Sequence, residues 1–205
     1  MWYPVKTPTL IKRLFPKLLC TMPKSEHPSL YLSFDDGPNP NVSPWVLEIL
    51  KKHEAKATFF CIGKKAENHP ELLDQIIAEG HSLGNHSYSH PNGWKSNCAE
   101  YVADVEHCAQ WVNSKLFRPP YGRIGLSQIS ALQKKNYQIV LWDVLSGDFD
   151  PKLSKEQCLK NVLQFSKNGS IIVFHDSEKA FEKLSFVLPR VLEHFHKLGY
   201  EFKSI

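Results

Sequence analysis

The chain has 205 residues, 42% of them hydrophobic and 22% charged, enough apolar material for one globular domain with a sizeable core. Its net charge of +4 comes from scattered basic residues, including the pairs Lys51-Lys52, Lys64-Lys65 and Lys134-Lys135. That pattern reads as solvated surface and argues against a nucleic-acid partner. Five cysteines without a C-x-x-C pair argue against a disulfide framework or a zinc ribbon, and no stretch approaches the ~20 apolar residues of a transmembrane segment.

Residues 1–28, rich in proline, read as an N-terminal arm joined to a domain spanning 29–205. Lys12, Arg13, Pro16 and Lys17 interrupt the arm's apolar residues, so no signal peptide is recognised and a cytoplasmic location is expected over export. Leu10, Ile11, Leu14 and Phe15 fall at helical spacing. Two readings stay open for them: an interfacial membrane helix or, preferred, a helix packed onto the domain.

From residue 29 the chain alternates apolar runs with amphipathic stretches. Strands are predicted at 29–34, 57–61, near Ser82-Leu83, at Leu116-Phe117, from Tyr137 to Trp142, from Ser170 to Phe174, and from Tyr200 to Ile205. Between them, helical spacing groups Trp45, Val46, Ile49 and Leu50; Leu72, Leu73, Ile76 and Ile77; Tyr101, Val105 and Val112; and Leu126, Ile129 and Leu132. Leu159, Val162 and Leu163 mark a further helix, and the run from Leu184 to Phe195 marks the last. This alternation implies parallel strands with crossover helices, either an open sheet or, preferred, a small barrel.

The choice of a barrel rests on where the reactive residues fall. Asp35-Asp36 follows the first strand, and His86 and His90 follow Ser82-Leu83. Arg118 follows Leu116-Phe117, Asp148 comes shortly after Trp142, and His175-Asp176 closes the run Ile171 to Phe174. In a βα barrel all these positions lie on the face formed by the C-terminal ends of the strands. Two adjacent carboxylates repel unless a cation or a proton intervenes. His86 and His90, four apart, can converge on one metal, and one Asp would leave coordination positions open, as in catalytic sites. Gly63-Lys64 lacks the glycine of a phosphate loop, and no G-x-S-x-G elbow is present, which argues against a serine hydrolase. The histidines at 27, 53, 69, 81, 107, 194 and 196 are assigned to surface or packing. Trp94 and Trp142 each have two open readings, sugar stacking and core packing.

The segments Ser33-Phe34-Asp35-Asp36-Gly37, His86-Ser-Tyr-Ser-His90, Arg118-Pro-Pro-Tyr121, Trp142 through Asp148, and Val173-Phe174-His175 occur in the order found in the polysaccharide deacetylases, carbohydrate esterase family 4, which the chain resembles over about residues 29–205. The resemblance implies an α/β fold, a distorted seven- to eight-unit (β/α) barrel with its site at the C-terminal strand ends. It also implies a divalent metal, most often zinc, and hydrolytic removal of N-acetyl or O-acetyl groups from a glycan. Carried over by position, Asp35 is the general base, and Asp36, His86 and His90 are the metal ligands. Arg118 orients Asp35, and Tyr121 gives its backbone N–H to the oxyanion. His175 is the general acid, tuned by Asp148, while Pro120, Tyr121, Trp142 and Phe149 contact substrate.

Two residues depart from the family's fourth motif: Leu145 stands where an acidic residue is usual, and Phe149 where a tryptophan is usual. The expected protein is a monomeric metal-dependent amide hydrolase acting on an acetylated glycan of chitin-oligosaccharide or peptidoglycan type. Two alternatives are a non-catalytic glycan-binding member of the same fold and a non-haem iron oxygenase, which shares a two-His, one-carboxylate ligand set.

Overall fold

The computed structural model describes residues 4–205; residues 1–3 of the predicted arm lie outside the described residues. Strands β1 (Ser29–Asp35), β2 (Thr58–Cys61), β3 (Ser82–Asn85), β4 (Leu116–Phe117), β5 (Gln138–Ile139), β6 (Val144–Leu145), β7 (Ile171–His175) and β8 (Glu201–Lys203) form one sheet. Its spatial order is β5-β4-β3-β2-β1-β7-β6, with β8 beside the start of β1, and every pairing is parallel. Helices α1 (Thr9–Leu14), α2 (Ser43–Lys52), α3 (Gly63–Asn68), α4 (Pro70–Ala78), α5 (Cys98–Cys108), α6 (Leu126–Lys134), α7 (Lys155–Phe165) and α8 (Glu178–Lys197) complete the chain. The curled parallel sheet with its helices is the expected distorted (β/α) barrel.

β1 sits at the centre, and all seven of its residues are buried, as a strand covered on both sides requires. Leu30, Leu32 and Phe34 point outward into the main core, where Val187, Leu188 and Val191 of α8 meet Val46 and Leu50 of α2. Phe34 stacks between Phe59 and Phe174, with ring centroids 5.1 and 5.9 Å away. Tyr31, Phe60, Val140 and Ile171 form a separate, smaller cluster. The neighbouring Gly84 leaves room for Phe60: a Cβ there would lie 2.4 Å from the ring.

Two expectations need correction. The run Tyr137 to Trp142 is not one strand. β5 ends at Ile139, the chain leaves the ladder, and β6 begins only at Val144. Among the described residues β5 and β6 are not paired with each other, and the arm occupies that seam. Leu19 N–H donates to the Ile139 carbonyl at 2.9 Å, and Leu141 N–H donates back to the Leu19 carbonyl at 2.8 Å. Further along, Thr7 N–H donates to the Asp143 carbonyl and Leu145 N–H to the Val5 carbonyl.

The second correction concerns α1, which buries none of its residues: Leu10 is 66% exposed and Leu14 63%. Its apolar side chains do not pack on the domain because its basic ones do. Lys12 and Lys6 both reach the buried carboxylate of Asp143, which also accepts from Ser170 Oγ at 2.6 Å. A buried carboxylate without such partners would be strongly unfavourable, and this requirement sets the orientation of the arm.

Candidate active site

Asp35, Asp36, His86, His90, Tyr121, Trp142, Phe149 and His175 line one cavity of about 190 Å³ at the C-terminal ends of the strands. Arg118 and Asp148 are fully buried, behind Asp35 and His175 respectively. Pro120 is buried and lies outside the cavity wall; its place is in the short 3₁₀ turn Pro120–Gly122 that presents Tyr121.

The two adjacent carboxylates are separated by backbone geometry. Asp35 ends β1 in extended conformation, whereas Asp36 has φ +72°. Ser87, His90 and Tyr121 are also left-handed, at φ +63°, +59° and +60°. Each such residue costs about 1–3 kcal/mol and persists only where its surroundings impose it. Three of them line the cavity, and the fourth, Ser87, directly follows the cavity residue His86.

Asp36 Oδ1 lies 3.1 Å from His90 Nε2 and 3.6 Å from His86 Nε2. One donor atom from each of the three residues falls within 4.8 Å of the others, close enough to share one ion. His86 Nδ1 is 2.7 Å from the Arg118 carbonyl, which can only accept, so Nδ1 carries the proton and Nε2 keeps its lone pair for the shared point. Burial pushes the His86 pKa down to about 4, so the ring is neutral at pH 7. Burial would raise the Asp36 carboxyl, but the His90 hydrogen bond and the nearby imidazoles outweigh it and hold the group well below the usual carboxylate range. A neutral imidazole and an ionised carboxylate are the forms that bind a divalent cation, so these residues fit one.

Asp35 is held from behind. Arg118 Nη1 donates to Asp35 Oδ1 at 2.6 Å and to Ser33 Oγ at 2.8 Å, while Nη2 donates to the Leu141 carbonyl at 3.0 Å. The guanidinium lies 4.0 Å over the Phe60 ring. Ion pair, backbone contact and ring stacking together need a planar fork, which lysine does not have.

His175 is held in a comparable way by Asp148. Its Nδ1 is 2.8 Å from Asp148 Oδ1, and its backbone N–H donates to Oδ2 at 2.9 Å. Nε2 is the ring nitrogen left over for the cavity. Burial would lower this histidine's pKa, but the Asp148 carboxylate outweighs it and raises the group to about 9.

Several residues of the site had no motif to announce them. Gly122, Ser177 and Lys179 line the cavity from outside the motifs, and Val173 lines it from within the last of them. A Cβ on Gly122 would lie 2.5 Å from the Trp142 ring, so this glycine seats the tryptophan. Leu145, where the resemblance leads one to expect an acid, is 4% exposed and part of the apolar wall. Asp176 lies beneath the Gly37 turn, 2.1 Å from where a Cβ on Gly37 would be, and accepts from Ser43 Oγ at 2.5 Å. Burial pushes its pKa up to about 7.

The parallel α/β barrel thus gathers a two-His, one-Asp donor set able to hold one cation beside an Arg-held carboxylate and an Asp-held histidine, a combination suited to hydrolysis. A family profile described as polysaccharide deacetylase matches residues 23–140. A peptidoglycan-N-acetylglucosamine deacetylase of Bacillus cereus is 40% identical over 152 residues, covering 71% of this chain but only 55% of that protein, little more than half its length. A chitooligosaccharide deacetylase of Azorhizobium caulinodans is 35% identical over 72% of this chain and 73% of its own. The crystal structure of the Bc1960 peptidoglycan N-acetylglucosamine deacetylase, solved with an aryl hydroxamate, superposes with a TM-score of 0.88 at 31% identity. It covers 100% of this chain and 95% of that one. The chain belongs to the polysaccharide deacetylase family.

Proposed function

We propose that this protein is a metal-dependent hydrolase that removes acetyl groups, chiefly the N-acetyl of N-acetylglucosamine-type sugars, from a polysaccharide or oligosaccharide. The observation that carries this reading is the meeting in one cavity of the Asp36–His86–His90 donor set, the Arg118-held Asp35 and the Asp148-held His175. The relatives' names, peptidoglycan and chitooligosaccharide deacetylases, support the substrate class.

Asp36, His86 and His90 hold the cation, which when bound supplies Lewis acidity to the acetyl carbonyl and to water. Asp35, aimed by Arg118, takes a proton from the water whose oxygen attacks the carbonyl carbon. Negative charge develops on the carbonyl oxygen, and the Tyr121 backbone N–H donates to it. His175 then gives its proton to the amide nitrogen. The C–N bond breaks, and acetate and a free amino sugar leave. Trp142, Leu145, Phe149 and Val173 give the acetyl methyl an apolar wall.

Measuring acetate release from acetylated chitin oligomers and peptidoglycan, before and after chelation and zinc readdition, tests the reading. Release that depends on the metal is expected. Full activity after complete chelation, or release from neither glycan, overturns it.

Arg118→Lys is a sharper test of the base. Lysine keeps a positive charge but not the contacts to Asp35, Ser33 and the Leu141 carbonyl at once, so Asp35 loses its aim. Misplacement of this kind is worth about 10²-fold in turnover, with zinc content unchanged. An unaltered turnover number would show that Arg118 does not act through Asp35.

A further inference from the structure

Trp94 is 69% exposed although it is one of the largest apolar side chains in the molecule. It is not loosely held. It lies in a short 3₁₀ turn, Gly93–Lys95, capped by Asn92 Oδ1, which accepts from the Trp94 backbone N–H at 3.1 Å. The buried Gly93 presses on the Arg123 carbonyl so closely that a Cβ there would lie 2.3 Å from it. Gln128 ties the same turn down, donating to the Gly93 carbonyl at 2.8 Å and to that of Ser96 at 3.1 Å, while its Oε1 accepts from Gly125 N–H. The Arg123 guanidinium covers one side of the indole at 5.0 Å. A built support beneath a bare ring is the opposite of a core tryptophan.

Its position relates it to the cavity without placing it in the wall. Trp94 follows the cavity residue His90 by four residues, a Cα reach of at most ~14 Å, and Arg123 follows Tyr121 by two. The cavity, about 190 Å³, is below the roughly 300–1,000 Å³ of common small-molecule sites. It holds one acetamido sugar at most, so the rest of a polymer must run over the surrounding surface. A fixed, flat, apolar ring matches the C–H face of a pyranose.

We propose that Trp94, backed by Arg123, is a distal sugar subsite. It stacks on a pyranose ring of the same glycan chain, beyond the unit whose acetyl group enters the cavity, and so gives preference for longer chains. The occupant follows from the deacetylase reading. Chitin-type oligomers and peptidoglycan glycan strands share the ring chemistry.

The test uses the whole 205-residue, zinc-loaded chain with Asp35→Asn, which binds without turnover, with and without Trp94→Ala. Calorimetry gives Kd for a dimer and a hexamer of N-acetylglucosamine and for a peptidoglycan strand of hexamer length. Dimer affinity is expected to be unchanged, while hexamer or strand binding weakens about tenfold and recovers in part with Trp94→Phe. Loss on only one long glycan supports the subsite and identifies its source. Equal affinity of both variants for both long glycans overturns the subsite. Acetate release by the unaltered enzyme is followed on the same glycans, so that a failed deacetylase reading is told apart from a failed subsite. Because the Trp94 ring is largely solvent-exposed, its removal should leave the circular dichroism spectrum and Tm unchanged.

Discussion

Replacing His86 and His90 together by alanine is expected to empty the metal site and reduce acetate release to background. Asp36 alone would remain of the three donors, and a single half-buried carboxylate binds a divalent ion weakly. Loss even of a residue that merely orients a ligand costs about 10–100-fold in metal affinity, so removal of two direct ligands costs more. The fold should survive, because the backbone that carries the two rings is pinned independently. Tyr88 and Ser89 N–H groups both donate to Asp104, and Ser87 N–H donates to Asn85 Oδ1. Zinc per chain after dialysis and unfolding temperature should therefore part company. Full zinc occupancy in the double variant would remove these histidines from the site.

The second large effect belongs to His175→Ser. An amide leaves as an amine only with a proton, and a positioned acid contributes about 10²–10⁴-fold. An activated acetyl ester leaves as a stable anion and needs no such help. The variant should keep its zinc and lose most amide cleavage while retaining much of its ester cleavage. The pH dependence follows from the sign of the shift. With its pKa raised to about 9, His175 is a charged donor below that value and loses the proton as pH rises through it. The alkaline limb of amide hydrolysis should thus lie near pH 9. Asp148→Asn removes the carboxylate that opposes burial, so the limb should fall toward or below an ordinary histidine's. Equal losses on amide and ester would show that His175 has another role.

Much of this site is legible in the sequence because the fold's own logic gathers it. When strands are parallel, every loop after a strand opens on one face, so Asp35, His86, Arg118, Asp148 and His175 could be brought together before any coordinates. The division of labour between Asp35 and Asp36 has a cause the sequence does not print: the left-handed turn at Asp36 swings one carboxylate to the histidines and leaves the other on Arg118. Asp176, next to His175 in the sequence, does not join it in the cavity wall and is packed against the Gly37 turn and Ser43.

The course of the chain around Trp142 was less legible. An unbroken apolar run from Tyr137 to Trp142 is compatible with a strand, and periodicity cannot show that its partner is absent. That depends on residues 5–22, far away in sequence, and on Asp143. The arm's helical spacing was legible but its orientation was not, because a lysine bound for a buried carboxylate looks like any surface lysine.

The seam carries a consequence for the order in which the chain can mature. Asp143 is translated 137 residues after Lys6 and 131 after Lys12. Until it and Ile139 have left the ribosome, the amides of Thr7 and Leu19 can bond only to water. Loops of that length close late and at an entropic cost, so residues 5–22 wait longest for their partners. The stretch they then fasten, from Ile139 to Leu145, carries the cavity wall at Trp142, so the wall takes its final shape only once the arm has come home.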